Sequence, residues 1–310
     1  MTRSISILGS TGSVGRSTLA LIDAAEPGAF AVEALVANRD VTTLAAQARK
    51  HRARFAAVAD PAAYPALKDA LAGTPTILAA GPDAVEEAAA RHADWTMAAI
   101  VGAAGLRSTL AALARSGTLA LANKESLVCA ADLVLETARR GGATLLPVDS
   151  EHNAIFQCLH GQDRAGIERI TLTASGGPFR DWPVERMARV TPEQALKHPV
   201  WSMGAKISID SATMMNKGLE VIEAARLFGL QPGRIEVLVH PQSTIHGMVH
   251  YADGSILAQL GSPDMRTPIA HALAWPARIH AGVPRLDLAA LARLDFSAPD
   301  PVRFPALRLA

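Results

Sequence analysis

The fold is decided near the N-terminus by residues 4–15, which read SISILGSTGSVG. The apolar run Ser4–Leu8 is typical of a buried strand, and Gly9, Gly12 and Gly15 follow it at regular spacing. Glycines between a strand and a helix permit a tight turn and bring backbone N–H groups close to a pyrophosphate. The Gly-x-x-Gly-x-x-Gly spacing differs from the commoner Gly-x-Gly-x-x-Gly, and a plain structural turn is the alternative. The position of the glycines directly after the first strand favours a dinucleotide site.

Strands and helices alternate through the first half of the chain. The predicted strands are Ser4–Leu8, Phe30–Val36, Phe55–Val58, Trp95–Ile100, Thr118–Leu121 and Thr144–Val148. The predicted helices include Ser17–Ala25, Val41–Lys50 and Leu106–Arg115. This alternation indicates right-handed βαβ crossovers, so we predict an α/β fold that begins with a Rossmann-like, doubly wound parallel sheet.

The pattern changes after a helix predicted over residues 151–159. The strands predicted beyond it form a second sheet, in an α+β catalytic domain: Ile170–Thr173, Ile207–Ile209, Ile235–Val239, Thr244–Tyr251 and Ser255–Leu260, the last two joined by a hairpin turn. We expect domains at 1–149 and 150–284. Prolines at 299, 301 and 305 indicate that residues 285–310 are an extended linker.

Composition excludes several classes of protein. A formal net charge of +1 on 310 residues argues against a general nucleic-acid binder. No stretch approaches the roughly 20 apolar residues of a membrane span. The two cysteines, Cys129 and Cys158, cannot build a disulfide framework, and the N-terminus lacks a signal-peptide core. We therefore predict a soluble, cytoplasmic protein.

Two carboxylates follow the predicted strand Thr144–Val148. Asp149 and Glu151 are two residues apart, so in extended backbone they point the same way. Two such carboxylates repel each other unless a cation or a proton lies between them, and oxygen-only ligands suit Mg²⁺ or Mn²⁺. The alternative is a helix N-cap formed by Asp149 or Ser150.

A second polar patch lies within residues 210–220, which we predict to be a capped helix. Asn216 and Glu220 are four residues apart, and Lys217 and Glu220 are three apart, so all three share one helix face. An amide, an ammonium and a carboxylate on one face can hold a phosphate and a metal, and the alternative is a solvated ion-paired face. The neighbouring methionines Met214 and Met215 favour burial.

Further polar residues stand where strands end. Lys124 follows Thr118–Leu121 and could stabilise negative charge on a substrate oxygen, and Ser175 with two glycines after it forms a plausible phosphate nest. Trp201, between Pro199 and Gly204, suggests a lid, with a core anchor as the alternative. Arg39, after the second strand, favours the 2′-phosphate of NADPH, although a solvated loop arginine is the alternative.

Three histidines, His240, His246 and His250, cluster in the sequence. No His-Glu-x-x-His motif accompanies them, and histidines at strand spacing are more often structural. We therefore reject a zinc site here.

Together these residues resemble one family, the 1-deoxy-D-xylulose-5-phosphate reductoisomerases. The resemblance spans nearly the whole chain, and its most specific blocks are residues 146–156 and 209–220. The segments that carry it are 9–15 GSTGSVG, 98–105 AAIVGAAG, 121–126 LANKES, 146–156 LPVDSEHNAIF, 209–220 IDSATMMNKGLE, 239–243 VHPQS and 264–271 DMRTPIAH. One departure is Asn38-Arg39-Asp40, where the family often has Gly-Lys-Asn.

The resemblance implies roles for individual residues. The implied metal ligands are Asp149, Glu151 and Glu220, which with Lys124 form the catalytic set. The implied substrate contacts are Lys124, Ser150, Glu151, His152, Ser175, His198, Trp201, Ser211, Asn216, Lys217 and Glu220. The implied NADPH contacts are Gly9, Ser10, Thr11, Gly12, Ser13, Val14, Asn38, Arg39, Asn123, Glu125, Met203, Gly204 and Met265, and the lid is His198–Gly204.

The resemblance also implies the reaction and the assembly. A divalent cation (Mn²⁺ or Mg²⁺, or Co²⁺) and NADPH would serve rearrangement and reduction of 1-deoxy-D-xylulose 5-phosphate to 2-C-methyl-D-erythritol 4-phosphate, in isoprenoid precursor biosynthesis. Residues 1–149 would bind NADPH, residues 150–284 would hold the metal and the substrate, and the protein would be a homodimer. The family's helical C-terminal domain is expected to be missing beyond residue 310.

Other functions remain open on sequence grounds. A simple NADPH-dependent dehydrogenase explains the glycine turn but not the convergent carboxylates. A semialdehyde dehydrogenase would need a nucleophilic cysteine, and neither Cys129 nor Cys158 is suitably placed. A truncated, inactive NADPH-binding protein of the same fold is the remaining alternative.

Overall fold

The computed structural model describes residues 2–201 and 203–310. Its strands are β1 Arg3–Leu8, β2 Phe30–Ala37, β3 Phe55–Val58, β4 Ile77–Ala80, β5 Trp95–Ala98, β6 Gly117–Leu121, β7 Ala143–Pro147, β8 Ile167–Ala174, β9 Ile235–Val239, β10 Ile245–Tyr251 and β11 Ile256–Leu260. Its helices are α1 Ser13–Asp23, α2 Val41–His51, α3 Tyr64–Ala70, α4 Pro82–Ala90, α5 Leu106–Leu113, α6 Lys124–Gly141, α7 Ser150–Leu159, α8 Val184–Met187, α9 Pro192–Ala195, α10 Ala205–Ala212, α11 Met215–Phe228, α12 Arg266–Ala274, α13 Leu288–Leu291 and α14 Ala306–Leu309.

The chain divides into two compact units, the first of which comprises Met1–Val148 and Pro268–Gly282. Its seven-stranded sheet has the order β4-β3-β2-β1-β5-β6-β7, and all neighbours are parallel. The order reverses at β1, and ligands of open α/β sheets bind in the crevice at the carboxyl ends of the strands at such a reversal. Gly9 follows β1 at this point. The predicted doubly wound parallel sheet is confirmed.

The strands of this sheet are apolar because helices cover both faces. All four residues of β3 are buried, and so are all four residues of β5. Trp95 in β5 is fully buried, and its indole nitrogen donates to the carbonyl of Ala272 over 3.0 Å. This bond satisfies the indole N–H and ties the late segment Pro268–Gly282 to the first unit.

The second unit comprises Asp149–Thr267 and Val283–Ala310. Its sheet has the order β11-β10-β8-β9, in which β10 is antiparallel to β11 and β8, while β8 and β9 are parallel. The predicted hairpin between β10 and β11 is confirmed. Helices α7 and α11 pack on this sheet through a core that includes Ile155, Leu159, Ala224, Phe228, Leu172 and Val249. This packing places the first turns of α7 and α11 beside each other.

One predicted strand is wrong. Residues 207–209 lie in helix α10, which begins after Gly204. The alternation of isoleucine and serine suggested a strand, but Lys206 and Asp210 form an i, i+4 ion pair of 2.6 Å, and Ser208 bonds back to the Gly204 carbonyl. The predicted helix over 210–220 is also interrupted, because Met214 has a left-handed backbone (φ 60°) between α10 and α11.

Residues 285–310 do not form an extended linker. Ser297 pairs with Val239, and Phe304 is 4% exposed in a cluster with Phe179. The helices α13 and α14 also fall in this stretch. Complete burial of an aromatic side chain contributes roughly 2–3 kcal/mol to stability. The proline-rich residues 285–310 are therefore held within the second unit.

No helix in the described part of the chain is long and apolar enough to cross a membrane.

Candidate functional site

The glycine turn after β1 is held tightly against its neighbours. The backbone nitrogens of Gly9 and Ser10 both donate to the Val36 carbonyl, over 3.0 and 2.8 Å. Gly9 has φ +91°, and a Cβ there would lie 2.6 Å from the Ala99 carbonyl oxygen. A Cβ on Gly15 would lie 2.4 Å from the Gly9 oxygen. Side chains are therefore excluded at Gly9 and Gly15, and the bare backbone there fits the predicted close approach of a pyrophosphate.

Arg39 and Asp40, in the loop after β2, make different contacts. The Asp40 carboxylate caps α2 by accepting the Thr43 backbone N–H over 3.1 Å, and hydrogen bonds from the Thr43 side chain and backbone lower the pKa of Asp40. The Arg39 side chain is 76% exposed and lies 3.9 Å from Asp60. Asp40 therefore serves the helix, and the contact of Arg39 with a 2′-phosphate stays a prediction.

Asn123 joins two loops at the carboxyl edge of the first sheet. Its side-chain nitrogen donates to the carbonyls of Ile100 and Gly102, over 2.6 and 2.9 Å. Its side-chain oxygen accepts the Ser126 N–H and so caps α6. Lys124, the first residue of that helix, is 6% exposed. Asn123 thus fixes the position from which Lys124 extends.

Three carboxylates converge in the second unit. Oxygens of Asp149, Glu151 and Glu220 all lie within 4.8 Å of one another. Asp149 stands at the N-cap position of α7 but makes no side-chain capping bond, so the N-cap alternative does not account for its carboxylate. Glu151 comes from the first turn of α7 and Glu220 from the second turn of α11. The packing of these two helices therefore creates the cluster.

Lys217 neutralises part of this charge. Its ammonium donates to Glu151 over 2.9 Å and also to Glu220, and the lysine side chain is 4% exposed. These two carboxylates raise the pKa of Lys217 against the opposing effect of burial. The amide of Asn216 donates to Glu220 as well. The expected shared face of Asn216, Lys217 and Glu220 is therefore formed, and the direct partners of Lys217 and Asn216 are carboxylates.

The donor set fits a hard divalent cation. Burial, and then the charges of Glu220 and Asp149, raise the pKa of Glu151 to about 7 despite the nearby ammonium of Lys217. Burial is the largest cause of this shift, and the excess of negative charge follows from the geometry, in which three carboxylates converge beside one ammonium. Oxygen-only ligands that converge with excess negative charge are the ligands of Mg²⁺ or Mn²⁺.

His152 and Glu223 lie behind the cluster. His152 is fully buried, and its Nε2 lies 2.9 Å from the Glu220 carbonyl oxygen. Its Nδ1 lies 3.5 Å from the carboxylate of Glu223 and 3.7 Å from that of Asp149. Burial opposes protonation, but these two carboxylates raise the pKa of His152 to about 9. The contact of His152 with substrate stays a prediction, and Glu223, which is 1% exposed, was not predicted.

Ser175 and His198 come together in the second unit. The Ser175 oxygen lies 2.8 Å from His198 Nε2. His198 Nδ1 accepts the backbone N–H groups of Val200 and Trp201, so Nε2 of the neutral ring carries the proton and donates to Ser175. Burial lowers the pKa of His198, which favours this neutral form. Because Ser175 also accepts the Gly177 N–H over 3.1 Å, its own O–H can donate to an anion.

Ser211 lies beside this loop. A Cβ on Gly177 (φ +68°) would stand 2.6 Å from the Ser211 carbonyl oxygen. Gly177 thus brings the Ser211 backbone against the loop that carries Ser175, at a distance that only glycine allows. The phosphate contacts of the two serines stay predictions.

The lid residues are only partly described. Trp201 is half-buried and its ring centroid lies 6.1 Å from that of His246. Ser202, inside the expected lid His198–Gly204, lies outside the described residues.

The other two histidines of the sequence cluster have structural partners. His240 bonds to the Asp295 carbonyl and to Thr244, and His250 bonds to Thr171. These bonds occupy both ring nitrogens of His240 and Nε2 of His250.

Three family models match the sequence. The model for 1-deoxy-D-xylulose 5-phosphate reductoisomerase matches residues 5–131, and the model for the C-terminal domain of this enzyme matches residues 145–228. A third model, the DXP reductoisomerase C-terminal domain, matches residues 260–310.

Relatives agree with these matches. The 1-deoxy-D-xylulose 5-phosphate reductoisomerase of Rhodospirillum centenum is 63% identical over 308 residues, which cover 99% of this chain and 76% of that protein. The Zymomonas mobilis enzyme is 59% identical, with 99% and 79% covered. The chain belongs to the 1-deoxy-D-xylulose 5-phosphate reductoisomerase family.

Solved structures of reductoisomerases have the same fold. The Zymomonas mobilis enzyme in complex with NADPH superposes with a TM-score of 0.93 at 57% identity, covering 100% of this chain and 80% of that one. A reductoisomerase in complex with NADPH, fosmidomycin and magnesium gives a TM-score of 0.95 at 49% identity, covering 99% and 78%. The expectation of a missing helical C-terminal domain stays a prediction.

The residues expected to bind reductoisomerase ligands are divided between the two units. The expected NADPH contacts from Gly9 to Val14, with Asn38, Arg39, Asn123 and Glu125, belong to the first unit, as does Lys124. The expected NADPH contacts Met203, Gly204 and Met265 belong to the second unit. The second unit also holds Ser150, whose hydroxyl donates to Glu151. The individual roles stay predictions.

Proposed function

We propose that this chain isomerises and reduces 1-deoxy-D-xylulose 5-phosphate to 2-C-methyl-D-erythritol 4-phosphate, using NADPH and a divalent cation. The observation that carries the proposal is the convergence of Asp149, Glu151 and Glu220 in the same unit as the Ser175 nest. A simple carbonyl reductase has no need of three convergent carboxylates.

The first unit would bind NADPH. The bare backbone around Gly9 and the N-terminus of α1 offer N–H groups to a pyrophosphate, and Arg39 offers a cation to the 2′-phosphate. The bound cofactor would supply the hydride for the reduction. Related reductoisomerases have been solved with NADPH, which supports this assignment.

The second unit would hold the metal and the substrate. A divalent ion bound by the three carboxylates would act as Lewis acid and template for the substrate oxygens. Magnesium is the ion in three related structures, and the ligand set suits manganese or cobalt as well. Lys124 would stabilise negative charge on substrate oxygens from the edge of β6.

The chain's own residues would orient the phosphate. The Ser175 hydroxyl, already accepting two hydrogen bonds, would donate its proton to a phosphate oxygen. Ser211, Asn216, Lys217 and His198 would complete the pocket. Trp201 would cover the substrate and exclude water.

Further aspects of the proposal concern assembly and cellular role. We propose a homodimer, because β11 is an edge strand that exposes 52% of Ile256, 41% of Leu257 and 37% of Leu260.

Two unpaired cysteines suit a reducing cytoplasm, and the product would feed isoprenoid precursor synthesis.

The test is NADPH oxidation by this 310-residue chain with 1-deoxy-D-xylulose 5-phosphate, measured with and without Mg²⁺ or Mn²⁺. Oxidation that requires both substrate and metal supports the proposal. If NADPH binds but is not oxidised, the chain is a binding protein of the same fold, and the proposed activity is wrong for it.

A further inference from the structure

We propose that Arg180, which follows the phosphate nest in sequence, is a positioning residue for the phosphate end of the substrate. The proposal rests on the function proposed above. Arg180 lies in the loop between β8 and α8, and its Nη1 donates to the Ser175 carbonyl oxygen over 2.8 Å. The same guanidinium contacts Asp181 through Nε over 3.2 Å. The Arg180 side chain therefore bonds back to a residue five positions earlier in its own loop. This bond fixes the backbone that carries the Ser175 hydroxyl.

The stem of Arg180 determines the shape of this loop. Gly176 has φ +80°, and a Cβ there would lie 2.8 Å from Arg180 Cδ and 3.0 Å from Val239 Cγ1. The arginine stem and Val239 thus occupy the space that a side chain at position 176 would need. On the other side, Gly177 lies against the Ser211 carbonyl. The nest is held between these two supports.

A second arginine fixes Arg180 in turn. Arg303 donates from Nη1 to the Arg180 carbonyl oxygen, in a part-buried bond across 123 residues of sequence. Arg303 is adjacent to Phe304, which is buried with Phe179. The segment around Arg303 is thus anchored beside the loop. Arg303 influences the position of the nest by holding the Arg180 backbone.

These contacts form one continuous series. Arg303 holds the Arg180 backbone, the Arg180 side chain holds the Ser175 backbone, and the Ser175 hydroxyl pairs with His198. Arg180 bonds to a carbonyl oxygen, so its effect on an anion would act through the position of Ser175 and the Gly177 N–H. Nothing in this role involves the reacting carbon atoms, so binding should change more than turnover.

The experiment compares Arg180→Met with the wild-type chain at saturating NADPH and Mg²⁺. Removal of a charge-assisted hydrogen bond that orders a loop should raise KM for 1-deoxy-D-xylulose 5-phosphate by roughly tenfold. The inhibition constant of inorganic phosphate should rise by a similar factor, while kcat stays within about threefold and KM for NADPH is unchanged. Arg303→Met should move the same two constants in the same direction by a smaller factor.

The matched control is Arg186→Met. Arg186 lies in the same stretch and stacks on Trp182 at 4.1 Å, so its removal perturbs the local packing without touching Ser175. Unchanged constants for Arg180→Met, or an equal rise for Arg186→Met, would overturn the proposal. If Arg180→Met does not fold, Arg180→Lys decides: lysine lacks the planar guanidinium that reaches Ser175 and Asp181 through separate nitrogens, so KM should still rise, by about threefold. Absence of turnover by the wild-type chain would instead contradict the proposed function.

Discussion

Lys217 Nζ lies 2.9 Å from Glu151 Oε1, and the two residues come from different helices, α11 and α7. The same ammonium also binds Glu220, so one buried lysine faces two of the three convergent carboxylates. This ion pair links the two helices at the point where the proposed metal would bind. Charge balance there should control both stability and metal affinity.

Lys217→Met should destabilise the metal-free protein. Removal of one partner from a buried ion pair typically costs about 3–5 kcal/mol, because the remaining charges are left uncompensated. Added Mg²⁺ should restore part of this loss, since a cation bound to the carboxylates replaces the ammonium. Urea unfolding with and without Mg²⁺ measures both effects. Lys206→Met, which breaks a more exposed pair with Asp210, should cost less than about 1 kcal/mol. Equal losses of unfolding free energy in the two variants would contradict this prediction.

Glu220→Gln should abolish turnover and leave NADPH binding largely intact. Glu220 is 1% exposed within the carboxylate cluster. Mutation of a residue that only supports a metal ligand can lower activity by roughly 100-fold, so loss of a direct ligand should lower it at least as much. Steady-state rates and NADPH fluorescence titration provide the two measurements. Glu236→Gln, on β9 and bonded to Thr171, is the control. Undiminished turnover would remove Glu220 from the metal site.

His246→Gln should make the protein less sensitive to acid. Burial lowers the pKa of His246 to about 4 from its usual 6.5. As pH falls below 6.5, the unfolded chain binds a proton at this position before the folded protein does, so stability is lost until the pH reaches about 4. Each pKa unit corresponds to about 1.4 kcal/mol, so this histidine accounts for roughly 3 kcal/mol of the acid sensitivity.

Urea unfolding at neutral pH and near pH 4 measures this difference for both proteins. The variant should lose roughly 3 kcal/mol less than the wild type over that interval. Parallel losses would mean that His246 does not stay neutral in the folded protein.

Gly9→Ala should weaken NADPH binding and destabilise the first unit. The added Cβ would lie 2.6 Å from the Ala99 carbonyl oxygen, at a backbone φ of +91° that alanine avoids. Alanine at a positive φ costs about 1 kcal/mol or more before the clash is counted. Thermal unfolding and NADPH titration provide the readouts. Gly233→Ala, where no atom lies within 4 Å of the added Cβ, should be close to neutral. Wild-type affinity in Gly9→Ala would argue against a cofactor at this turn.

Much of the fold could be predicted from the sequence because continuous apolar runs mark buried strands. Phe55–Val58 and Ile235–Val239 match the predicted ranges. The edge strand β4 was not predicted, since Ile77 is 53% exposed and the run is short. Residues 207–209 were misassigned because an alternation of only three residues does not distinguish a strand from a helix.

The candidate site was predictable where its contacts are local. Asn216, Lys217 and Glu220 were expected on one face because their spacing follows the helical repeat, and the structure pairs them. Glu223 and Arg180 were not predicted. Their partners, His152 and the Ser175 carbonyl, are determined by the packing of helices and by loop conformation, which residue spacing alone does not encode.

We expect the chain both to rearrange and to reduce its substrate, and the carbon connectivity of the product tests this most directly. The substrate, 1-deoxy-D-xylulose 5-phosphate labelled with ¹³C at the adjacent carbons C3 and C4, would be incubated with the protein, NADPH and Mg²⁺, and the product examined by ¹³C NMR. Rearrangement breaks the bond between these carbons and joins C4 to C2, so the one-bond coupling of the two labels should disappear. A product that is reduced but retains the coupling would show a simple reductase and contradict the account.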